Sequence, residues 1–249
     1  MITFYDLDGK VKGIPWNINV WKTRYSLNYK GLPYKTVWLE YPDIESTMKK
    51  IGALPTTVKH DGSPMYTVPA IYDDSTEVAI ADSVLIAEYL DKTYPDTPVL
   101  IPRGTYALQN AFQEFLFSKL MPLWILTIPD VPSKCLNPRS AEYFEKHRSL
   151  DFGVPSLEVM RVTGEAREAQ WLKVQEIFGS FHKMMKDSDT WIMGDKPSFV
   201  DFVLASMILS IKTLYGKESK EYQNVMSWHG GRWGRIMTIF DEKYSTVPM

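Results

Sequence analysis

The first functional feature of the sequence is a helix start that could bind an anion. Residues 13–22 join a short apolar strand, residues 2–5, to a helix predicted from about Ile18 to Lys30. Asn17 and Asn19, near its start, are of the type that caps helices. The unpaired N–H groups of a helix start carry a partial positive charge, so such a site can hold a phosphate, a carboxylate or a thiolate. The alternative is an ordinary capped helix that binds nothing.

Other catalytic and metal-binding patterns are missing from the sequence. The four histidines, His60, His147, His182 and His229, do not have the spacing of metal ligands. There is neither a phosphate-binding glycine loop nor a Gly-x-Ser-x-Gly nucleophile turn. The single cysteine, Cys135, excludes an internal disulfide and a zinc site built from cysteines, and we interpret it as a buried structural residue. We therefore expect no metal.

The composition indicates an ordinary globular protein. Of the 249 residues, 45% are hydrophobic and 23% are charged, and the formal net charge of −2 gives no sign of nucleic-acid binding. No apolar run approaches the roughly 20 residues of a membrane helix, and the chain does not begin like a signal peptide. We expect a cytoplasmic protein without nucleic-acid or membrane partners. Eight tryptophans and fourteen tyrosines suggest a site for flat apolar ligands.

Two domains are predicted from the periodicity of the chain. The first, residues 1–95, is an α+β domain with the order βαβ–ββα and a four-stranded mixed sheet. Within it, residues 52–64 are predicted to be loop. Residues 96–104 are rich in proline and are predicted to be a linker. The second domain, residues 105–249, is predicted to be all-α.

The helical domain is predicted to contain helices of very different character. A long helix, Thr105 to Met121, carries an apolar stripe. Residues 122–138 contain several prolines and are predicted to be irregular. A short helix is predicted from Ser140 to His147. Ser198 and Asp201 form a capping pair ahead of an almost wholly apolar, and therefore buried, helix.

The order of these elements resembles the cytosolic glutathione transferases, whose thioredoxin-like first domain precedes a helical domain. Val68-Pro69 lies where the family has its cis-proline, Asp82-Ser83 where it has an acidic-Ser pair, and Ser198-x-x-Asp201 where it has a capping motif. The resemblance covers nearly the whole chain. The segment from Trp16 to Gly31 is similar, more narrowly, to the etherase-related fungal class A. That class includes enzymes and ligand-binding members associated with wood-derived phenolics.

The resemblance implies glutathione as co-substrate. The glutathione-binding residues would be Val68 and Pro69, whose backbone pairs with the cysteinyl part, and the Asp82-Ser83 pair. Asp82 would hold the γ-glutamyl ammonium, and Ser83 with the helix start its carboxylate. A Lys or His within residues 49–60 would hold the glycine carboxylate. Taken alone, Asp82-Ser83 is simply a helix cap.

At the catalytic position the sequence departs from the family. Asn17 stands where the fungal subgroup has a Ser and other classes have a Cys. A serine lowers the pKa of the thiol by donating a hydrogen bond to the thiolate, and an asparagine amide is a weaker and bulkier donor. Asn17 is the candidate catalytic residue, whether it supports catalysis or only binding. Tyr5 is a second candidate donor, with a place in the apolar core as its alternative.

A second, hydrophobic ligand would lie between the domains, which suits planar phenolic compounds. The candidate residues, any of which can also be core, are Trp16, Ile18, Phe112, Phe115, Leu116, Lys119 and Trp124. The first hypothesis is a glutathione transferase that conjugates or reduces aromatic electrophiles or peroxides. The second is a ligandin-type protein that binds polyphenols with little catalysis, and a third is a pure interaction module. The resemblance also implies a homodimer.

Overall fold

The computed structural model of the chain describes residues 1–11 and 13–248. Residue 249, the predicted end of the helical domain, lies outside the described residues. The strands are β1 (Ile2–Leu7), β2 (Tyr34–Leu39), β3 (Thr57–Val58), β4 (Pro64–Met65), β5 (Ala70–Asp73) and β6 (Val78–Ala81). The helices are α1 (Ile18–Lys30), α2 (Ile44–Ile51), α3 (Ser83–Thr93), α4 (Tyr106–Lys119), α5 (Met121–Thr127), α6 (Val131–Lys134), α7 (Pro138–Phe152), α8 (Gly164–Met184), α9 (Phe199–Tyr215) and α10 (Lys220–Lys243). Short 3-10 turns span Tyr41–Asp43, Ile128–Asp130 and Leu157–Met160.

Four strands form the mixed sheet, in the order β2-β1-β5-β6. β1 runs parallel to β2 because α1 crosses between them, and antiparallel to β5, which in turn pairs antiparallel with β6. All six residues of β1 are buried, as expected of a central strand covered on both faces. The predicted α+β domain with a mixed sheet, followed by helices, is confirmed.

Helix α1 links the sheet to the helical domain. It begins after Asn17 and ends before Gly31, the bounds that the sequence predicts, and Gly31 adopts the left-handed conformation of a C-cap. On one side the buried guanidinium of Arg24 pairs with Asp6 of β1 at 2.6 Å. On the other side the ring of Tyr25 lies 4.6 Å from that of Phe240 in α10.

Helix α9 is the centre of the helical domain, since fourteen of its seventeen residues are buried. Its start is closed by the predicted capping pair. Asp201 Oδ2 accepts hydrogen bonds from the N–H and the hydroxyl of Ser198, at 2.9 and 3.0 Å, and Oδ1 accepts from the N–H of Ile192 at 2.8 Å. Every oxygen of the carboxylate is therefore paired within the fold.

Three parts of the chain differ from the prediction. Residues 122–138, predicted to be irregular, contain α5 and α6, because their prolines lie in the first turn, where a missing N–H breaks no helical hydrogen bond. Helix α7 is fifteen residues long and extends beyond the predicted Ser140–His147. The predicted loop 52–64 contains part of the hairpin of β3 and β4, whose strands are too short to show a period of two.

The predicted domain boundaries are not tested by these elements and stay a prediction. The last helix of the first half ends at Thr93, and the next helix begins at Tyr106. Within the described ranges, no helix has the length and apolar character needed to cross a membrane.

Candidate functional site

Two cavities meet between the sheet domain and the helices. The aromatic cavity has a volume of about 280 Å³ and the polar cavity about 260 Å³, near the lower end of the range for small-molecule sites. Five residues border both cavities, and they define the junction between them. The junction residues are Asn17, Asn19, Tyr41, Phe144 and Arg148.

The predicted catalytic residue, Asn17, is both a junction residue and the N-cap of α1. Its side-chain Oδ1 accepts hydrogen bonds from the backbone N–H groups of Asn19 and Val20, at 2.8 and 3.4 Å. The cap satisfies two of the donors that a helix start leaves unpaired. As a consequence, the carbonyl side of the amide is committed to the helix, and the amide nitrogen is the part left to face a ligand.

The loop between β1 and α1, which carries Asn17 and which we call the opening loop, is fixed to the helical domain. The N–H of Lys10 donates to the carbonyl of Cys135 at 2.9 Å, and Gly9 approaches the same carbonyl so closely that a Cβ on it would lie 2.7 Å away. The indole N–H of Trp16 donates to the carbonyl of Asp8 at 3.2 Å. These contacts hold Trp16 and Asn17 against the cleft.

Charged pairs and exposed backbone line the polar cavity. Val68, which precedes Pro69 across a cis peptide bond, lines this cavity. So does Lys59, which pairs with Glu45 at 2.8 Å. Of the candidates in residues 49–60, it is Lys59 that borders the cavity. Helix α7 supplies His147, whose pKa is lowered by burial and then by the nearby Lys146.

Asp82 and Ser83 lie at the start of α3, beside the backbone of Pro69. The N–H of Asp82 donates to the carbonyl of Pro69 at 3.2 Å. Asp82 has a φ of +84° and caps α3, with Oδ1 accepting from Val84 N–H at 2.9 Å and from Leu85 N–H at 3.4 Å. Among the described residues, no donor hydrogen-bonds Asp82 Oδ2 or the Ser83 hydroxyl. Neither residue borders either cavity.

A buried lysine increases the positive potential in this region. Lys22 of α1 is 4% exposed, and its ammonium lies 4.5 Å from the centre of the Phe117 ring. Burial lowers the pKa of Lys22 to about 8, while the charges of Asp82 and Glu114 act to raise it. In the part of the chain that the structure describes, it forms no ion pair within 4.0 Å. A buried cation without a direct ion-pair partner favours the approach of an anion.

Rings from three helices, from the loop before α1 and from the turn of Tyr41 line the aromatic cavity. Of the seven residues predicted for a hydrophobic site, Trp16, Ile18 and Trp124 line it. The contribution of α4 is Phe117, whose ring lies 6.4 Å from that of Trp124. Phe144 and Phe152 of α7 also line this cavity.

The other four predicted residues of α4 do not line the cavity. The rings of Phe112 and Phe115 pack on Phe181 of α8, at 5.5 and 5.7 Å. Leu116 is fully buried in the core, and Lys119 is exposed above the ring of Phe115. The sequence pattern marks α4 as amphipathic but does not fix which of its apolar residues face the cleft, because it has apolar side chains on more than one face.

Tyr41, like Phe144 and Arg148, is a junction residue that the sequence analysis did not predict. It begins a 3-10 turn after β2, and its backbone N–H donates to the hydroxyl of Ser140 at 3.0 Å. Its ring lies 5.9 Å from that of Tyr143 in a stacked arrangement and 5.7 Å from that of Phe144. Burial raises the pKa of Tyr41 to about 12, and the charge of Arg148 acts to lower it.

Two other candidates lie apart from the junction. Tyr5 is 8% exposed in β1, and burial raises the pKa of its hydroxyl. Cys135 is buried, and burial raises its pKa to about 11, so a thiolate does not form there at neutral pH. Neither residue borders either cavity. In residues 1–11 and 13–248, His, Cys, Asp and Glu form no cluster of three that could hold a metal ion.

Known proteins are similar to this chain in architecture and in sequence. Residues 16–93 match the family model described as the glutathione S-transferase N-terminal domain, and residues 107–244 match the glutathione S-transferase C-terminal domain. A glutathione S-transferase-like protein, ustS, of Aspergillus flavus is 33% identical over 220 residues, which cover 82% of this chain and 78% of the relative.

Solved structures of fungal proteins match over the full length. A glutathione S-transferase of Ceriporiopsis subvermispora, solved in complex with glutathione, is 42% identical with a TM-score of 0.92, and the match covers 99% of this chain and 98% of that one. The glutathione transferase GSTFuA3 of Phanerochaete chrysosporium is 38% identical with a TM-score of 0.91, covering 100% and 98%. The two domain matches and these full-length relatives, on a thioredoxin-like sheet domain followed by helices, show that this chain belongs to the glutathione S-transferase family.

Proposed function

We propose that this chain is a glutathione transferase that binds glutathione in the polar cavity and acts on an aromatic electrophile or a peroxide in the aromatic cavity. The observation that carries the proposal is the junction, where both cavities meet at Asn17. A thiol held on the polar side and an apolar acceptor on the other side share this boundary, so the reacting atoms are brought into contact. The related structure from Ceriporiopsis, which contains glutathione, supports the choice of thiol.

The γ-glutamyl end of glutathione would bind at the start of α3. The cap uses Oδ1 of Asp82, which leaves Oδ2 for the ammonium group. The Ser83 hydroxyl and the helix start suit the carboxylate, and the nearby charge of Lys22 adds to the attraction. The hydrogen bond between Asp82 N–H and Pro69 keeps this region close to Val68, whose backbone would pair with the cysteinyl part.

The glycine end would bind inside the polar cavity, whereas the start of α3 lies outside it, beside Pro69. Lys59 is the residue we assign to its carboxylate, because it borders the cavity and carries an ammonium group. Glu45 holds Lys59 in position at 2.8 Å, and the ion pair raises the pKa of Lys59 so that it stays charged. His147 borders the same cavity and offers a further ring N–H.

The chemistry is nucleophilic attack by sulfur. In conjugation, the thiol proton passes to solvent, the thiolate lone pair forms a C–S bond, and the leaving group departs with the bonding electrons. In peroxide reduction, sulfur attacks the O–O bond to give an alcohol and a sulfenic acid of glutathione. A second glutathione then yields the disulfide and water. Rings that line the aromatic cavity exclude water from the acceptor.

Binding without turnover is the second candidate function, and Asn17 is the observation that favours it. Its side-chain oxygen is committed to the helix cap, so one neutral amide N–H₂ group remains to face a thiol. Such a donor stabilises a thiolate less than a hydroxyl does. On this alternative the aromatic cavity serves as a ligandin-type store for polyphenols.

Calorimetry and turnover measurements test the proposal together. We expect glutathione to bind the full chain and Ser83→Ala to weaken that binding about tenfold, on the order of 1.4 kcal/mol for one lost hydrogen bond to a charged group. Ser227→Ala, an exposed control on α10, should bind like the parent. An activated aryl chloride and an organic hydroperoxide serve as acceptors.

The outcomes separate the two candidates. Glutathione-dependent turnover of either acceptor supports the transferase. Tight polyphenol binding without turnover supports the ligandin. Failure of the parent chain to bind glutathione contradicts the transferase proposal, whatever the polyphenols do.

A further inference from the structure

The sulfur of glutathione must lie at the junction if it is to reach an acceptor in the aromatic cavity. Val68, assigned above to the cysteinyl backbone, borders the polar cavity only, whereas the acceptor occupies the other one. The groups that can touch sulfur are therefore the five junction residues. This step depends on the proposed function.

Four of the five junction residues are poor partners for a thiolate. Asn17 has one side of its amide committed to the cap, and Asn19 offers another neutral amide. Phe144 has no polar group. The guanidinium of Arg148 donates through Nη1 to Asp151 at 2.6 Å, and this carboxylate offsets its positive charge.

Tyr41 is the junction residue with a hydroxyl, and its ring is held in place from both halves of the chain. Trp16 of the opening loop lies 6.3 Å from it, while Tyr143 and Phe144 of α7 lie at 5.9 and 5.7 Å. The hydrogen bond from the Tyr41 N–H to Ser140 fixes the backbone as well. A group fixed in this way loses little conformational freedom when it binds sulfur.

Charge and burial around Tyr41 suit a hydrogen-bond donor that keeps its proton. Burial raises its pKa, so the hydroxyl keeps its proton at neutral pH. Arg148 and the Asn17 side chain act to lower the pKa of Tyr41, whereas Cys135 and Tyr143 act, like burial, to raise it. Asn17 and Tyr41 both border the junction, and an amide that donates to the Tyr41 oxygen leaves the hydroxyl proton available for sulfur.

We propose that the Tyr41 hydroxyl is the catalytic group that donates a hydrogen bond to the glutathione thiolate, and that Asn17 is a positioning residue that orients it. The thiol loses its proton to solvent, and Tyr41 keeps its own proton throughout. Tyr41 thus supplies the hydroxyl that is missing at position 17. Asn17 acts through its amide nitrogen, on the side that the helix cap leaves free.

The test is Tyr41→Phe, which keeps the ring contacts and removes the hydroxyl. The ultraviolet absorbance of the thiolate is followed against pH in the glutathione complex, and kcat is measured at saturating glutathione. We expect the pKa of the bound thiol to rise by about one and kcat at neutral pH to fall about tenfold. The Kd of S-methylglutathione, which has no thiol to activate, should change less than about twofold.

Two further variants decide how the result is interpreted. Tyr106→Phe, a matched control at the exposed start of α4, should behave like the parent. Replacement of Tyr41 by 3-fluorotyrosine, a more acidic phenol, should lower the pKa of the bound thiol instead. This second change keeps the size of the side chain, so it tests the role of the hydroxyl even if Tyr41→Phe folds poorly.

The contradicting results are distinct from those for the proposed function. If glutathione binds and its thiol pKa is the same in the parent, Tyr41→Phe and the fluorotyrosine variant, Tyr41 has no role and this proposal falls alone. If Asn17→Ala raises the thiol pKa and the Tyr41 changes do not, Asn17 is itself the donor. If the parent does not bind glutathione, both proposals fall.

Discussion

An aspartate side chain closes the start of α3 and another closes the start of α9, and the two have opposite relations to solvent. Asp82 is the N-cap of α3, whereas Asp201 is the third residue of α9 and forms a capping pair with Ser198. Asp201 at the start of α9 is 2% exposed, and its two oxygens accept three hydrogen bonds from Ile192 and Ser198. Asp82 at the start of α3 is half-buried, and its cap uses a single oxygen. The same residue type therefore serves the fold alone in one place and keeps an acceptor available for a ligand in the other.

The comparison shows that binding capacity depends on what the cap leaves unpaired. A helix start attracts anions in general, yet the start of α9 has no place for one because it lies inside the core. The start of α1 is intermediate, since Asn17 gives its oxygen to the helix and keeps its amide nitrogen. We call the start of α9 at Asp201 the closed cap, because both carboxylate oxygens are paired, and the start of α3 at Asp82 the open cap, because one oxygen is left unpaired among the described residues. Three predictions test this difference.

The largest effect is expected at the closed cap. Asp201→Ala removes three buried hydrogen bonds and leaves the N–H groups of Ile192 and Ser198 without their acceptor, so the free energy of unfolding should fall by about 3 kcal/mol. Denaturant titration of the full chain measures it. Asp96→Ala, at an exposed residue between α3 and α4, should change stability by less than about 0.5 kcal/mol. A similar loss in both variants would show that the closed cap has no special role.

The second prediction is that the loss of stability in Asp201→Ala depends on pH. Burial raises the pKa of Asp201 to about 6 against the bonds from Ile192 and Ser198, so the folded state holds this proton more tightly than the unfolded state. The stabilisation that Asp201 gains from this proton is complete at a pH below the pKa of the residue in the unfolded chain, and it is lost as the pH rises through about 6. The stability difference between the parent and Asp201→Ala should therefore increase by about 2 kcal/mol from pH 7 to pH 4. A difference independent of pH would contradict it.

The smallest effect in free energy is expected at the open cap. Asp82→Asn keeps the capping oxygen and tolerates the positive φ, so the unfolding midpoint of the free protein should not change. The loss of charge should weaken glutathione binding about tenfold, on the order of 1.4 kcal/mol. Calorimetry measures the unfolding midpoint and the glutathione affinity of Asp82→Asn. Asp96→Asn, which removes the same charge elsewhere, is the control. Unchanged affinity together with reduced stability would mean that Asp82 is only a cap.

Local patterns predict the elements and caps well, because the residues that decide them are neighbours in sequence. The bounds of α1, the capping pair at Ser198 and Asp201, and the strands on either side of the turn after Asp73 all follow from short stretches. The prolines of α5 and α6 misled the prediction, since their effect depends on where in a helix they lie.

The cleft could be predicted only in part, because distant segments build it. Tyr41 reaches the junction through contacts of its turn with α7, such as the hydrogen bond from its N–H to Ser140 at 3.0 Å, between residues 99 apart in sequence. No local pattern encodes such a pairing. The rotation of α4 is a similar case: Phe117 faces the cavity, whereas Phe112 and Phe115 pack on α8.

The close contact of Gly9 with the carbonyl of Cys135 limits how far the two halves can be treated as separate modules. A side chain at position 9 would also come within 2.8 Å of the Trp16 ring, so any substitution there pushes the opening loop away from the helices. A fragment that ends at α3 would lack the carbonyl that holds Lys10. In a chimaera or a split version of this protein, the loop carrying Asn17 comes from the first half of the chain but is positioned by the second half, so both must be exchanged together.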